Sequence, residues 1–298
     1  MGRTAPLDST RSAPPEIAPE VAAPRADTPA APTPIVCVPG LTSGEFRALE
    51  AAFEVLGPEM ATRVGGFVLP ADFTLSVLMP VYNERDTVLT MIDRVCSLGL
   101  PVDLIVVDDF STDGTRELLE HMPQRAGVTV LFHDRNRGKG AALRTALGAA
   151  RGEAVVVQDA DLEYDPHDYT KLLEPIITGR ADVVFGSRYL NRSGNRQWLR
   201  YRIANWLLTR LSNWFTGLKL SDMETCYKMF RRSALAGLTI EQDRFGVEPE
   251  LTAKIARRGC RVVEVPISYT CRDTAHGKKI RLRDAIQALW CIVRYSCL

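Results

Sequence analysis

Between Phe73 and Ser187 the chain alternates two hydrophobic rhythms. Short runs rich in β-branched residues, "LSVLMPVY", "VDLIVVDD", "VTVLF", "EAVVVQD" and "DVVFGS", carry little polar interruption. Between them lie "VLTMIDRVCSL", "TRELLEHM", "GKGAALRTALGAA" and "YTKLLEPIIT", whose apolar residues recur at helical spacing. This is a βαβ series. Strands that are apolar on both faces belong in a parallel sheet covered by helices on each side.

Each run ends in polar or glycine-rich residues. They are Tyr82-Asn83-Glu84, Asp108-Asp109, the "RNRGKG" of residues 135–140, Asp159-Ala160-Asp161, and Gly186-Ser187-Arg188. Ligands of open α/β sheets bind at the carboxyl ends of the strands. Five such ends in succession predict that one edge of the sheet is a binding site.

Composition narrows the class. The 298 residues are 46% hydrophobic and 24% charged, with 37 basic and 36 acidic side chains, so neither a disordered chain nor a basic nucleic-acid binder is indicated. Seven scattered cysteines without a C-x-x-C pair read as reduced thiols of a cytoplasmic protein. No apolar run reaches the ~18 residues of a membrane span. Residues 1–34 hold eight prolines and eight alanines and are expected to be a disordered leader. Residues 35–72 form an N-terminal extension with a predicted helix from about Ser43 to Leu56. Residues 73–275 form the main domain, and residues 276–298 an amphipathic tail.

The strand ends differ in chemistry, which suggests a ligand with distinct parts. Asp108 and Asp109 offer acceptors for a nucleobase imide or ribose hydroxyls, with capping of the following helix as the plainer alternative for Asp109. Lys139, between two glycines at a helix start, offers a cation and helix amides for phosphate. No G-x-x-x-x-G-K-[ST] is present, which excludes a P-loop. In "VVVQDADLEYD", Asp159 and Asp161 stand two apart at the end of a buried run and can share a divalent cation. All-oxygen ligands favour Mg²⁺ or Mn²⁺, whose shell is completed by substrate phosphates. An EF-hand is excluded by Tyr164 at the turn position and Thr170 at the twelfth. A hydrated acidic loop capping a helix near His167 is the plain alternative.

In order along the chain, "SVLMPVYNERDTV", "IVVDDFSTDGT", "RNRGKGAALRTAL", "QDADLEYDP" and "VVFGSRYL" resemble glycosyltransferase family 2. Farther on, "SDMETCYKMFRR", "FGVEPELTAKIARRG" and "EVPISYTCR…GKKI" are similar to the dolichyl- and polyprenyl-phosphate mannose or glucose synthases, extending the match over about residues 73–285. The resemblance implies a three-layer, Rossmann-like A-type α/β fold with a mostly parallel sheet. It also implies inverting transfer of a hexose from UDP-glucose or GDP-mannose to a polyprenyl or dolichyl phosphate. Carried over residue by residue, Pro80, Tyr82, Glu84, Asp108 and Asp109 would line the nucleoside pocket with Lys139 near it. Asp159 and Asp161 would hold the metal, with Glu163 where many synthases place glutamine as a further contact. Arg188 would face the donor and acceptor phosphates. Arg272 and Lys279 would receive the acceptor phosphate, with Lys278 where serine is usual and Lys228 where arginine is common. Asp161, Arg188 and Lys279 are the residues expected to carry catalysis.

A hydroxyl acceptor requires a general base, for which Glu248 or Glu250 of "FGVEPEL" would serve. A phosphate monoester, with its second pKa at ~6, is already ionised and needs only cations. Lys228, Arg231, Arg232, Arg272, Lys278 and Lys279 supply them from the carboxy-terminal third. Residues 196–219 space Leu199, Ile203, Trp206, Leu207, Leu211, Trp214 and Leu218 at three and four among Arg196, Arg200, Arg202, Arg210 and Lys219. This stretch, and the tail "IRLRDAIQALWCIVRYSC", fit either a helix lying on the cytoplasmic face of a membrane or a core helix packed on the sheet. A family 2 enzyme acting on a saccharide hydroxyl and a noncatalytic nucleotide-sugar binder are the rival functions.

Overall fold

A seven-stranded sheet organises the computed structural model, which describes residue 1 and residues 35–39, 66–190, 199–271 and 282–297. In chain order the elements are β1 (Val36–Cys37), β2 (Phe67–Val68), β3 (Leu75–Val81), α1 (Val88–Cys96), β4 (Val102–Asp108), α2 (Thr115–His121), β5 (Val128–Phe132) and α3 (Lys139–Ala149). They continue with β6 (Ala154–Val157), α4 (Tyr169–Ile177), β7 (Val183–Ser187), α5 (Leu199–Thr216), β8 (Lys228–Arg231), α6 (Arg232–Leu235), α7 (Val247–Arg257), β9 (Val262–Pro266) and α8 (Leu282–Cys297). The leader, the helix expected from Ser43 to Leu56, and Arg272, Lys278 and Lys279 lie outside the described residues.

The strand order is β5-β4-β3-β6-β8-β7-β9. All neighbours are parallel except β8, which runs antiparallel to both β6 and β7. The mixed α/β fold with a mostly parallel sheet is therefore the one expected. Buried valines, leucines and isoleucines of β3, β4, β6 and β7 form its centre, with helices packed against them. Strands β1 and β2 make a small separate antiparallel pair, and Cys37, Phe67 and Leu69 join the main core.

The topology creates one opening. From β3 the chain steps outward through β4 to β5, then crosses back to place β6 on the other side of β3. Ligands bind where the direction of stepping reverses. Here the pairing of β3 with β6 ends at Leu78↔Val157, while β3 stays paired with β4 as far as Val81↔Asp108. The backbone confirms the parting. Leu78 O accepts from Gln158 N at 2.9 Å, and Val81 O accepts from Asp109 N at 2.8 Å, so the intervening Pro80 points toward the side that β6 has left. A proline in a central strand would normally cost a ladder hydrogen bond. At this position no partner strand remains to ask for one.

The same edge is closed by a segment the strand pattern does not announce. Residues 242–244 lie directly on the start of α3. Ala141 N donates to Asp243 O at 3.2 Å, and Arg144 donates to Ile240 O at 2.7 Å. A Cβ built on Gly138, whose φ is +97°, would stand 2.3 Å from Asp243 O, and one on Gly140 would stand 1.9 Å from Gln242 O. Gly138 and Gly140 of "GKG" thus allow residues 242–244 to pack closely on the start of α3. Gly140→Ala is expected to destabilise the fold by roughly 2–3 kcal/mol, measured as a lower midpoint in urea. A midpoint equal to the wild type would show that residues 242–244 do not rest on α3.

Candidate functional site

At the parting of β3 and β6 lies a cleft of about 290 Å³. The end of β3 supplies Pro80, Val81, Tyr82 and Glu84, and the residues after β6 supply Asp159, Ala160 and Asp161. Asp109, Asn136, Gly138, Lys139 and Ala142 form the floor, with Arg244 and Phe245 on the covering segment. Seven of the expected donor-site and metal-site residues are therefore brought together. Asn136, Arg244 and Phe245 were not foreseen. The last two sit between β8 and α7, and nothing in their local pattern places them over a strand end more than a hundred residues earlier.

The two aspartates at the opening are nearly buried, at 7% exposure for Asp159 and 2% for Asp161. The apolar run ahead of them leaves no choice, because Ala154–Val157 is buried throughout and delivers the chain to the cleft wall. Part of the charge is offset locally. Lys139 Nζ lies 3.1 Å from Asp159 Oδ1 and 2.8 Å from Glu248 Oε1. Burial by itself would pull the ammonium down, but Asp159 and Glu248 hold it well above the ordinary lysine value. Unit charges ~4 Å apart at an effective dielectric of ~20 attract by about 4 kcal/mol, which is the scale needed to offset desolvation.

Asp159 and Asp161 are the carboxylates that could hold a metal at this place, and among the described residues no group of three or more His, Cys, Asp or Glu is arranged to hold one. That set fits Mg²⁺ or Mn²⁺, which keep waters and take their remaining ligands from phosphates. Glu163 is not brought to the pair. Its Oε2 accepts from Tyr269 OH at 3.0 Å, and its backbone O accepts from Thr270 N at 2.9 Å, because a β-bridge between Tyr164 and Tyr269 turns this loop toward β9. Asp165 accepts from His167 N and begins a 3-10 turn at Pro166, so the capping alternative holds for this last acid of the run.

The Asp108-Asp109 pair divides. Asp108 is fully buried, receives Ser111 N and meets Arg116 at 3.4 Å, and does not line the cleft. It anchors the loop after β4. Asp109 reaches the cleft, yet its oxygens accept from Arg137 N at 2.8 Å and Gly138 N at 2.6 Å, with His133 Nδ1 at 2.7 Å. It fixes the turn that presents Lys139.

Farther along the same edge, Arg188 follows β7. Its Nε and Nη2 reach the two oxygens of Asp222, each at 2.7 Å. The guanidinium lies 5.3 Å from the Tyr269 ring centre and 5.7 Å from that of Tyr189. Burial works against its charge, and Asp222 holds it well above the usual arginine value. Lys228 is buried at 2% exposure, donates to Thr225 O, and does not line the cleft. Burial pulls its ammonium below the ordinary lysine value despite Glu248 and Glu224. Arg231 and Arg232 are far from the site for a topological reason. Antiparallel β8 carries them to the amino end of β6, where Arg231 pairs in register with Ala154 and Arg232 donates to Ala150 O.

The alternative base candidates also divide. Glu250 is fully buried, accepts from Glu241 N and Gln242 N, and is salt-bridged to Lys254 at 2.6 Å. It holds the start of the covering segment. Glu248 faces the site through Lys139, and its Oε2 is buried without a hydrogen-bond partner.

A model of the family described as "Glycosyl transferase family 2" matches residues 76–239. The chain belongs to glycosyltransferase family 2. It is 32% identical over 222 residues to polyprenol monophosphomannose synthase of Mycolicibacterium smegmatis, covering 71% of this chain and 82% of that one. It is 31% identical over 202 residues to glycosyltransferase AglJ of Haloferax volcanii, covering 67% of this chain and 64% of that relative, so it spans less than two thirds of the latter's length. Among solved structures, glucosyl-3-phosphoglycerate synthase of Mycobacterium tuberculosis, in complex with Mn²⁺, UDP and phosphoglyceric acid, superposes with a TM-score of 0.58 at 25% identity, over 87% of this chain and 84% of that one. The seven-stranded sheet is thus that of a family 2 glycosyltransferase, and the chain is a glycosyltransferase.

Burial, reinforced by Glu248, pushes the carboxyl of Glu224 up to about 7. The folded protein therefore holds this proton more tightly than the unfolded chain. Its stabilising effect is present below the ordinary value of 4.5 and is lost as the pH rises through about 7. Glu224→Gln is expected to raise the melting temperature relative to wild type at pH 8, and little at pH 4.5. An equal shift at both pH values would remove the assignment of a buried, protonated carboxyl.

Proposed function

We propose that the protein transfers a hexose from a nucleotide sugar to a polyprenyl phosphate, with a divalent cation held by Asp159 and Asp161. The observation that carries the reading is that Asp159 and Asp161 line one cleft with Lys139, which pairs with Asp159, at the point where β3 and β6 part. Tyr82, Glu84 and Asp109 shape the end of the cleft suited to the nucleoside, and Lys139 sits where a diphosphate would lie between base and sugar. When bound, Mg²⁺ or Mn²⁺ would neutralise the leaving diphosphate. Asp159 and Asp161 would hold that cation, Lys139 would pair with the same diphosphate, and Asp222 would hold Arg188 rigid toward the second phosphate.

A phosphate acceptor suits the groups present. Glu250 is committed to two backbone amides and Lys254, Glu248 pairs with Lys139 through Oε1, and neither lines the cleft where a hydroxyl would attack. An ionised phosphate attacks the anomeric carbon without such a base, forms the glycosyl–phosphate bond, and leaves the electron pair of the broken bond on the nucleoside diphosphate. The relative from Mycolicibacterium smegmatis is named for this class of product. Purified protein with Mn²⁺, UDP-glucose or GDP-mannose, and a short polyprenyl phosphate is expected to yield an acid-labile sugar on the lipid phosphate. Asp159→Asn or Asp161→Asn should lower kcat about 100-fold or more. Transfer to saccharide hydroxyls alone would refute the phosphate acceptor.

A lipid acceptor places the enzyme at a bilayer, and two helices support this. On α5, Asn205, Thr209 and Ser212 are buried at helical spacing, while Ile203, Trp206, Leu207 and Trp214 are exposed. The inward face mixes these polar residues with Leu208, Leu211 and Phe215, which pack on the main core, while both tryptophans face out. On α8, Ile286, Leu289, Trp290 and Val293 are exposed, and α5 and α8 pack together. Arg210 lies 5.8 Å from the Trp206 ring and Arg294 lies 4.9 Å from Trp290. Apolar side chains interleaved with arginines suit an anionic lipid surface. No helix among the described residues is long and apolar enough to cross a membrane. The protein is expected to float with anionic vesicles at low salt, and Trp206→Glu with Trp290→Glu to lose this while keeping its melting temperature. Flotation unchanged in the double variant would exclude these helices as the contact.

A further inference from the structure

Lys139 stands between two carboxylates that differ in what else they do. Asp159 belongs to the pair at the cleft opening. Glu248 comes from α7, and its second oxygen is buried without a hydrogen-bond partner. The ammonium is 3.1 Å from the first and 2.8 Å from the second, so one cation serves two anions at contact distance. Such an arrangement is exchangeable. If another cation takes Asp159, Lys139 retains Glu248 and is never left unpaired in a buried place.

We propose that Lys139 is the resident counter-cation of the metal site, with Glu248 as its holding partner, so that a divalent ion alone competes with an ammonium already in place. A nucleoside diphosphate removes the competition, because its oxygens offer the ammonium a new anion while they help to ligate the metal. Metal and nucleotide then bind as a cooperative pair. The inference rests on reading Asp159 and Asp161 as the metal-holding residues, and it adds that Lys139 sets the order in which the site fills. Glu248 acts through Lys139 and is a positioning residue.

The test is Mn²⁺ binding followed by electron paramagnetic resonance on the full chain, first with Mn²⁺ alone and then with UDP or GDP added. Lys139→Met is expected to bind Mn²⁺ alone about tenfold more tightly than wild type, and to gain less from added nucleotide. Glu248→Gln is expected to bind Mn²⁺ alone about threefold more weakly, because Lys139 is then left to Asp159. In the Lys139→Met background that effect of Glu248→Gln should vanish. Arg244→Met, which removes another cation from the same cleft wall, controls for the general field. An Arg244→Met gain equal to that of Lys139→Met would overturn the specific exchange. Unchanged or weakened Mn²⁺ binding in Lys139→Met would overturn it too, leaving Lys139 as a strut between α3 and α7. Melting curves of each variant verify folding, and Lys139→Gln replaces Lys139→Met if the latter does not fold. Should Asp159→Asn with Asp161→Asn bind Mn²⁺ as tightly as wild type in the presence of nucleotide, the metal reading itself falls. That result is distinct from the others.

Discussion

The buried negative charge after β6 constrains the architecture around it. An apolar strand brings two carboxylates to the wall of a cleft where water cannot screen them fully, and desolvation makes them costly without a cation. Lys139 meets part of that need from α3 and is shared with Glu248 of α7, so the three carboxylates outnumber the one ammonium. Asp159, Lys139 and Glu248 come from elements separated in sequence by up to about a hundred residues. Their contact requires β6 to lie beside β3, α3 to start beneath it, and the covering segment to rest on two glycines.

The same economy recurs along the edge. Arg188 is matched in both oxygens by Asp222, whose own backbone N–H donates to Glu264 Oε1 at 3.0 Å. Lys228 is enclosed with Glu224 and Glu248 nearby and is pulled toward neutrality by burial. Lys139 and Arg188 at this sheet edge are therefore held by carboxylates before any substrate arrives. Preorganised charge of this kind is what group transfer between phosphates calls for, since the chemistry consists largely of bringing anions together.

Much of the fold was legible along the chain because buried parallel strands and amphipathic helices each leave a local signature. The runs of β3 to β7, their succession along the chain and the polar ends of β3, β4, β6 and β7 could all be read directly. Roles of individual residues were less legible. Asp108 and Asp109 are adjacent, yet one anchors a loop and the other lines the cleft, because successive residues at a strand end face opposite ways. Glu163 continues the alternation of Asp159 and Asp161, yet the bridge between Tyr164 and Tyr269 turns it toward β9. The "GKG" stretch reads as a helix start offering a cation and amides, but nothing local shows that the backbone of residues 242–244 occupies the space its glycines leave.

By itself the sequence determined the α/β class, the polar strand ends and the pair of aspartates, since periodicity and local spacing encode which groups share a face. Only the tertiary structure decided which charges meet. It set Lys139 against both Asp159 and Glu248, sent Arg231 and Arg232 to the far end of the sheet on the antiparallel β8, and laid Arg244 and Phe245 over the cleft. Those outcomes depend on contacts between residues distant in the chain, for which no local pattern carries a signal.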